Sequence, residues 1–264
     1  MKPFVLISSL LLAFCPLLLL GQTPSSRVLI IGIDGVRSDT HTAANTPNLD
    51  ALMNTGVYSP DALNDDITIS GPGWSSILCG VRSDKHLVVD NSFSGSNYDD
   101  YPSLFQRIEN NYSIVNTVSI CHWAPINDYI VVTDADIIEN VGSDNDVRDA
   151  AVDQLENADP HVMFIHLDEV DYAGHGYGFS PNVPQYMSTI EEADTHVGAV
   201  LAALYARPNY AQEDWIVIVT SDHGGVGYSH GGNSMEERNV SFIASGPSVT
   251  PLLVEKTILE VNPP

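Results

Sequence analysis

Apolar, β-branched runs alternate with longer helix-like stretches along most of this 264-residue chain. The runs are rich in Val, Ile and Leu without strict polar alternation, which is typical of strands that are covered on both faces. They cover residues 27–34, 112–121, 161–168, 214–222 and 240–246, and the helix-like stretches cover 46–56, 144–157 and 183–207. This alternation predicts an α/β fold, with a doubly wound, mostly parallel sheet and helices on both faces.

The N-terminus has the pattern of an export signal. One lysine precedes a long apolar run, and the small Gly21 stands before the polar Gln22, so residues 1–21 are interpreted as a signal peptide that is removed. A retained membrane anchor is the alternative, because the run is at the lower edge of spanning length. We therefore expect a secreted or periplasmic protein without stable membrane insertion, in which residues 22–264 form one domain.

The composition limits the partners of the chain. The formal net charge is −24, from 10 Lys and Arg against 34 Asp and Glu. The sequence has no basic stripe, so we do not expect polymeric nucleic acid as a partner. After removal of the signal peptide two cysteines remain, Cys79 and Cys121, and the sequence does not decide between one disulfide and two buried thiols.

Three aspartates stand where apolar runs end. Asp34 and Asp222 close two of these runs, and Asp171 follows a third. Ligands of doubly wound sheets bind beyond the carboxyl ends of the strands. A single aspartate in such a place is more often part of a turn or a helix cap. Three of them at one expected edge predict a binding site.

Histidines accompany two of these aspartates. Asp171 and His175 lie four residues apart in DYAGHGYG, a spacing that fits one face of a helical turn or a tight loop. The three glycines of this segment favour the loop. His223 follows Asp222 directly, and His230 comes seven residues later between further glycines. Together, three carboxylates and three imidazoles suffice for two divalent metal ions roughly 4 Å apart.

The charge of such a site favours a phosphate ligand. Two divalent ions and three carboxylates sum to about +1 inside an acidic protein, and the oxygen and nitrogen donors favour Zn²⁺. The expected partner is therefore a small phosphate ester. Ser70, in ITISGPGWSSILCG, precedes a predicted helix start with Pro72 in its first turn, and on this evidence alone Ser70 is an N-cap.

These motifs resemble the alkaline phosphatase superfamily, and within it the nucleotide pyrophosphatase/phosphodiesterase-like branch. The resemblance covers nearly all of the chain after residue 21. In that branch the nucleophile segment is Thr-x-Pro-x, followed by a glycine, a histidine and an asparagine. The matching residues here are Ser70, Pro72, Gly80, His86 and Asn91. The further matching segments are GIDGVRSD (32–39), TPNLDAL (46–52), DYAGHGYG (171–178) and SDHGG (221–225) with HGG (230–232).

The resemblance implies a role for each candidate residue. It implies an alkaline phosphatase-like fold in which one metal is held by Asp34, Asp222, His223 and Ser70. The other metal would be held by Asp171, His175 and His230, and Asn91 would donate to a phosphate oxygen. Ser70 would be the nucleophile, because zinc and a helix N-terminus both favour loss of the hydroxyl proton. Thr68 is the alternative nucleophile.

The sequence also departs from the branch. Serine replaces the usual threonine, and Gly73 stands where an asparagine is common. Sulfatases of the superfamily carry an arginine where this chain has Trp74, which disfavours a sulfatase. His223 and His230 are only seven residues apart, so no capping domain is inserted there. The chain stops where a final helix is expected, so we expect either a short protein or a C-terminal truncation.

These observations predict an exported, metal-dependent phosphohydrolase. The Ser70 oxygen would attack phosphorus in line and form a phosphoserine, while Asn91 and the Gly71 N–H steady the phosphate oxygens. A phosphodiester or pyrophosphate is favoured as substrate, and a phosphomonoesterase of the alkaline phosphatase type is the alternative. The alternative of another class is a non-catalytic protein that binds metal or phosphate on a hydrolase scaffold.

Overall fold

The computed structural model describes residues 25–40, 43–112 and 115–256, and the predicted signal peptide lies outside them. Its strands form one eight-stranded sheet in the order β4-β3-β5-β1-β6-β7-β2-β8. The strands are β1 (Ser25–Ile33), β2 (Val57–Leu63), β3 (Thr117–Cys121), β4 (Ile137–Asn140), β5 (Val162–Leu167), β6 (Glu213–Thr220), β7 (Asn239–Ser245) and β8 (Leu252–Leu253).

Eight α-helices of the described residues connect or flank the strands. They are α1 (Pro47–Thr55), α2 (Ser70–Cys79), α3 (Ser83–His86), α4 (Leu104–Asn111), α5 (Asp144–Asn157), α6 (Glu169–Tyr177), α7 (Pro184–Tyr205) and α8 (Met235–Arg238). The three helix-like stretches predicted between the apolar runs are α1, α5 and α7, and the helix predicted to start near Ser70 is α2. Proline occupies the first turn of both α1 and α7, where its missing N–H has no intrahelical partner to lose. Within the described residues, no helix is long and apolar enough to cross a bilayer.

The sheet is mostly parallel, as predicted. Five of its seven neighbouring strand pairs are parallel, and β7 runs antiparallel to both β6 and β2. At the centre, Gly32 of β1 pairs with His166 of β5 on one side and with Thr220 of β6 on the other. The carboxyl ends of β5, β1 and β6 are therefore level, and residues that follow them meet at one edge.

Apolar layers cover both faces of the sheet. Leu29 and Ile31 of β1 point into a core shared with α5 and α7, whereas Ile30 points into a second core with Trp74 of α2 and Phe164 of β5. Successive side chains of a strand face opposite sides, so β1 contributes to both cores. The predicted helices on both faces are confirmed.

Several elements differ from the sequence prediction. Within the described part of the run 112–121, the strand is Thr117–Cys121, and the run 240–246 forms an antiparallel strand. The run 57–63 is a strand that the prediction missed, because Pro60 interrupts it and the pairing shifts register between Ser59 and Ala62. Neither of the buried thiols, Cys79 and Cys121, is disulfide-bonded to another described residue.

Candidate active site

The candidate ligands come from the ends of the three central strands. Asp34 directly follows β1, Asp171 lies in the first turns of α6 after β5, and Asp222 and His223 follow β6. His230 lies in the loop between β6 and α8. The level ends of these strands explain why Asp34 and His223, far apart in sequence, lie in contact.

Asp34, Asp222 and His223 form the more deeply buried half of the site, called here the inner group. His223 Nε2 lies 3.4 Å from Asp34 Oδ1 and 3.3 Å from Asp222 Oδ2. The Ser70 hydroxyl is 3.3 Å from the same nitrogen. One imidazole nitrogen and three oxygens thus converge, which is the donor number of a four-coordinate zinc site.

Asp171, His175 and His230 form the outer group. His175 Nε2 lies 3.3 Å from Asp171 Oδ2 and 3.1 Å from His230 Nε2, and His230 Nε2 lies 3.6 Å from Asp171 Oδ1. The imidazole rings of His223 and His230 stack at 3.8 Å between centroids. The two groups are therefore contiguous, and His223 also lies within ligand distance of Asp171 and His230.

The segment that carries Asp171 and His175 is a helix, so the prediction of a glycine-rich loop is wrong. Only Gly178, which follows the helix, has a positive φ, at 113°. Gly174 serves close packing instead, because a Cβ there would lie 2.2 Å from the Phe179 ring. The four-residue spacing thus places both ligand candidates on one helical face.

Each histidine of the two groups is oriented by a backbone carbonyl. Nδ1 of His175 lies 2.9 Å from the Tyr228 carbonyl oxygen, and Nδ1 of His230 lies 2.7 Å from that of Thr68. His223 Nδ1 faces the Gly224 carbonyl at 2.8 Å. A carbonyl only accepts hydrogen bonds, so Nδ1 carries the proton and the Nε2 lone pair points into the site, as in metal-binding histidines.

Each of the three carboxylates keeps one unsatisfied oxygen. Among the described residues, Asp34 Oδ1, Asp171 Oδ1 and Asp222 Oδ2 are buried without a hydrogen-bond partner. Buried polar atoms are normally paired, since leaving one unpaired costs about 1–3 kcal/mol. Three such oxygens beside imidazole lone pairs fit bound cations.

The pKa values of these groups reflect buried charge without a compensating cation. Burial raises the pKa of Asp34 to about 7 and that of Asp171 to about 8, and it raises the pKa of Asp222 well above its usual range. Burial lowers the pKa of His223 well below its usual range, and it also lowers that of His230. These two imidazoles are therefore neutral, which is the form that binds metals.

Ser70 is the first residue of α2, and Ile69 is its N-cap. The interpretation of Ser70 as the N-cap is therefore wrong by one position. The serine lies at the positive end of the helix dipole, and its hydroxyl faces His223. The Thr68 hydroxyl is differently engaged, because it donates to the Gly232 carbonyl and accepts from the Gly231 N–H.

Asn91 contacts the first turn of α2. The Gly71 N–H donates to Asn91 Oδ1 at 2.7 Å. Only oxygen can accept this bond, so the amide NH₂ of Asn91 is left as a donor for a ligand. The Gly71 N–H, which the sequence analysis assigned to the phosphate oxygens, is used instead to orient Asn91.

Trp74 and His166 were missed as parts of the site. Trp74 Nε1 donates to Asp34 Oδ2 at 2.8 Å, and His166 Nε2 lies 3.2 Å from the same oxygen. Both side chains are fully buried. The signal available in the sequence was weak, namely a histidine within the apolar run HVMFIHLD and a tryptophan in a core helix.

A family model described as type I phosphodiesterase/nucleotide pyrophosphatase matches residues 28–119 and 122–239. Human bis(5'-adenosyl)-triphosphatase ENPP4 is 26% identical over 219 residues, which are 75% of this chain and 47% of that protein. An uncharacterized pyrophosphatase/phosphodiesterase of Schizosaccharomyces pombe is 25% identical over 233 residues, 75% of this chain and 44% of that protein. The chain spans about half the length of these curated relatives.

Solved structures share the fold. Murine ectonucleotide pyrophosphatase/phosphodiesterase 5 superposes with a TM-score of 0.61 at 23% identity, covering 75% of this chain and 57% of that one. A 2-O GAG sulfatase superposes with a TM-score of 0.71 at 17% identity, covering 88% and 66%. These similarities confirm the predicted alkaline phosphatase-like fold.

Proposed function

This chain belongs to the type I phosphodiesterase/nucleotide pyrophosphatase family of the alkaline phosphatase superfamily, and from this membership we propose that it is a metal-dependent hydrolase of phosphodiester or pyrophosphate bonds. One observation carries the proposal. Among the described residues, Asp34, Asp171 and Asp222 each keep a buried oxygen without a hydrogen-bond partner, and the Ser70 hydroxyl contacts His223, which lies beside Asp34 and Asp222. Family membership alone does not require that this chain be catalytically active, whereas this arrangement of side chains supports catalysis.

Two divalent cations fit the residues present. We assign Asp34, Asp222, His223 and Ser70 to one ion, and the outer group of Asp171, His175 and His230 to the other. The mixed carboxylate and imidazole donors favour Zn²⁺. When bound, the ions would supply positive charge to the attacking and leaving oxygens of an in-line displacement.

Ser70 is the proposed nucleophile. Its position in the first turn of α2 favours negative charge on the oxygen that forms the new bond to phosphorus. The bond from phosphorus to the leaving oxygen breaks, which leaves a phosphoserine that water hydrolyses in a second displacement. Thr68 is less suited, because its hydroxyl is held by the loop at Gly231 and Gly232.

Asn91 is the proposed donor to the transferred group. The bond from Gly71 fixes its oxygen, so its NH₂ is oriented before the substrate arrives. A donor that is already oriented stabilises developing charge without further reorganisation. The role of Asn91 therefore depends on the first turn of α2, which carries the nucleophile as well.

The charge of the site favours diesters over monoesters. Among the described residues, the ion pairs of Asp34, Asp171 and Asp222 all involve histidines, and none involves Lys or Arg. A monoester dianion needs cationic help beyond two metal ions, whereas a diester carries a single negative charge. Similar proteins include an inactive variant of murine ectonucleotide pyrophosphatase/phosphodiesterase 5 in complex with AMP, and human bis(5'-adenosyl)-triphosphatase ENPP4. We therefore propose a nucleotide-like diester or pyrophosphate as substrate.

Export is part of the proposal. Residues 1–21 have the pattern of a signal peptide, and a relative is named as an ectonucleotide pyrophosphatase/phosphodiesterase. We propose removal of this segment and a secreted or periplasmic location. N-terminal sequencing of the mature protein from the culture medium or the periplasm tests both statements. An intact N-terminus in the membrane fraction would favour the retained anchor.

The activity is tested with purified protein on chromogenic substrates. The protein is stripped with a chelator, reloaded with Zn²⁺, and assayed on a nitrophenyl nucleotide diester and on nitrophenyl phosphate. We expect zinc-dependent cleavage that is faster on the diester. Faster cleavage of the monoester would favour the phosphomonoesterase, and no cleavage with any divalent ion would favour the non-catalytic binding protein.

A further inference from the structure

We propose that Trp74 and His166 are positioning residues that fix which oxygen of Asp34 faces the metal site. Both donate an N–H to Asp34 Oδ2, at 2.8 and 3.2 Å, and this leaves Oδ1 directed at His223. The inference rests on the proposed function, because it assumes that Asp34 binds a cation. It goes beyond that function by assigning a task to two residues outside the ligand set.

The tautomer of His166 is set by a backbone donor. The Trp123 N–H points at His166 Nδ1 over 3.4 Å, so this nitrogen is the acceptor. In the neutral imidazole the proton then resides on Nε2, the nitrogen that faces Asp34. His166 is fully buried and therefore cannot exchange this partner for water. It acts as an N–H donor to Asp34.

The indole of Trp74 reaches Asp34 because β1 has no side chain in its path. A Cβ at Gly32 would lie 2.3 Å from Trp74 Cη2, so only glycine lets the ring cross the strand there. The Trp74 ring then packs edge-on against His166, with 4.8 Å between centroids. The two donors thus support each other, and neither can turn away from Asp34 without losing this contact.

The consequence is a carboxylate with two different oxygens. Oδ2 accepts two hydrogen bonds, while Oδ1 has no partner among the described residues and lies 3.4 Å from His223 Nε2. Hydrogen bonds to a ligating group from residues behind it typically change metal affinity 10–100-fold. We therefore expect the pair to strengthen binding of the ion held by the inner group, with little effect on the outer ion.

The test removes each donor and measures metal binding. Trp74→Phe and His166→Leu remove the two N–H groups, and His166→Gln restores a donor near the Nε2 position. Trp215→Phe is the matched control, because Trp215 is also buried and its indole donates to a buried carboxylate, Glu213, at 2.7 Å. That carboxylate lies at the other end of β6. Binding of Zn²⁺ to the stripped proteins is measured by competition with a chromogenic chelator.

We expect Trp74→Phe and His166→Leu to lower the affinity for one of the two zinc ions 10–100-fold. His166→Gln should regain most of that affinity, and Trp215→Phe should bind both ions like the wild type. If the cavity left by Trp74→Phe prevents folding, shown by circular dichroism, the two His166 variants decide. If wild-type protein binds two zinc ions and His166→Leu binds both with the same affinity, this inference is overturned but the proposed function is not. Wild-type protein that binds no divalent ion would overturn the proposed function as well.

Discussion

The two halves of the candidate site differ in their access to water. In the inner group, Asp34 is 1% exposed, and Asp222 and His223 are 0% exposed. In the outer group, the side chain of His175 is 42% exposed and that of His230 is 11% exposed. For the proposed enzyme we therefore expect the inner ligands to hold the nucleophile in place and the outer ligands to contact substrate and water.

The halves also differ in how the chain holds them. Asp34 directly follows β1, and Asp222 is separated from β6 by one residue. Both therefore extend strands that pair with each other. The outer ligands lie on α6 and on the loop near Gly231, whose φ is 112°. Loops and helix ends open more readily than central strands. We therefore expect the outer ion to bind more weakly and to exchange faster than the inner one.

The largest expected effect comes from Ser70, the proposed nucleophile beside the inner group. Ser70→Ala should lower kcat by roughly 10⁴-fold or more, since loss of the attacking group removes the covalent route. Zinc content should stay near that of the wild type, because six of the seven proposed ligands remain. The measurement combines kcat on a diester with metal analysis, and mass spectrometry of acid-quenched protein should find the phosphoryl group on the Ser70 peptide only in the wild type.

Thr68→Val is the matched control for the nucleophile. It removes the hydroxyl of the alternative nucleophile but keeps the shape of the side chain. We expect a small loss of activity, because the Thr68 hydroxyl only braces the loop at Gly231. An active Ser70→Ala protein together with an inactive, unphosphorylated Thr68→Val protein would make Thr68 the nucleophile.

The next largest effects should separate the inner from the outer group. His223→Ala should lower kcat/KM by roughly 10²- to 10³-fold, because a lost ligand forfeits several kcal/mol of charge stabilisation and His223 lies beside both groups. His175→Ala should remove only the weaker, exposed ion. Its activity should recover as the Zn²⁺ concentration is raised, whereas that of His223→Ala should not.

His161→Ala is the control for these histidine variants. His161 precedes β5 at the other end of the sheet, where its ring accepts a backbone hydrogen bond from Asn116. We expect normal zinc content and activity. If His175→Ala and His223→Ala lose the same number of ions and respond alike to added Zn²⁺, the two groups do not act as separate sites.

A smaller effect should appear in the stability of the zinc-free protein. Burial raises the pKa of Asp34 to about 7 and that of Asp171 to about 8 in the folded state, against 3.8 for an ordinary aspartate. Between pH 6.5 and 8 the folded protein therefore holds protons that the unfolded chain has released. Stability should fall as pH rises through this window. Near pH 6.5 His223 and His230 oppose this change, because burial lowers their pKa values and the unfolded histidines still bind protons there, so the decrease should be clearest above about pH 7.5.

Thermal unfolding in the presence of a chelator measures this dependence. One such carboxyl contributes up to about 1.4 kcal/mol per pH unit, which corresponds to a decrease in Tm of about 3 to 6 °C per unit. Bound Zn²⁺ should abolish the slope, and Asp171→Asn should reduce it most near pH 8. A Tm that stays constant or rises from about pH 7.5 to 8 without metal would contradict the burial of unpaired carboxylates.

Sequence reasoning singled out residues that lie together in the structure, because it depended on strand ends. Asp34, Asp171 and Asp222 were singled out as residues that follow apolar runs, and the parallel order β5-β1-β6 brings those ends together. The direction of β7 was not predictable, since an apolar run has the same composition in a parallel and an antiparallel strand. Strand β2 was missed because it contains Pro60, which lowers the strand propensity of the segment. The segment nevertheless pairs as a strand near an edge of the sheet.

The residues that orient the site could not be identified from the sequence pattern. Gly174 suggested a loop, but the glycine makes room for Phe179 within a helix. Trp74 and His166 look like core residues in sequence, and only the packing of α2 across Gly32 directs their N–H groups at Asp34. Such contacts join positions 40 and 132 residues apart, and periodicity along the chain carries no information about them.

The smallest effects should come from two glycines, and their signs should differ between the halves. A Cβ at Gly73 would lie 2.8 Å from Asp222 Cβ, so Gly73→Ala must displace an inner ligand and should cost about 1–3 kcal/mol of unfolding free energy. Gly176 of α6 has open space around its Cα, so Gly176→Ala should add about 0.5–1 kcal/mol through helix propensity, with zinc binding unchanged. Chemical denaturation of both variants measures the two changes. Because the substitution is the same, a loss at Gly176 as large as that at Gly73 would show that the outer half is packed as tightly as the inner one.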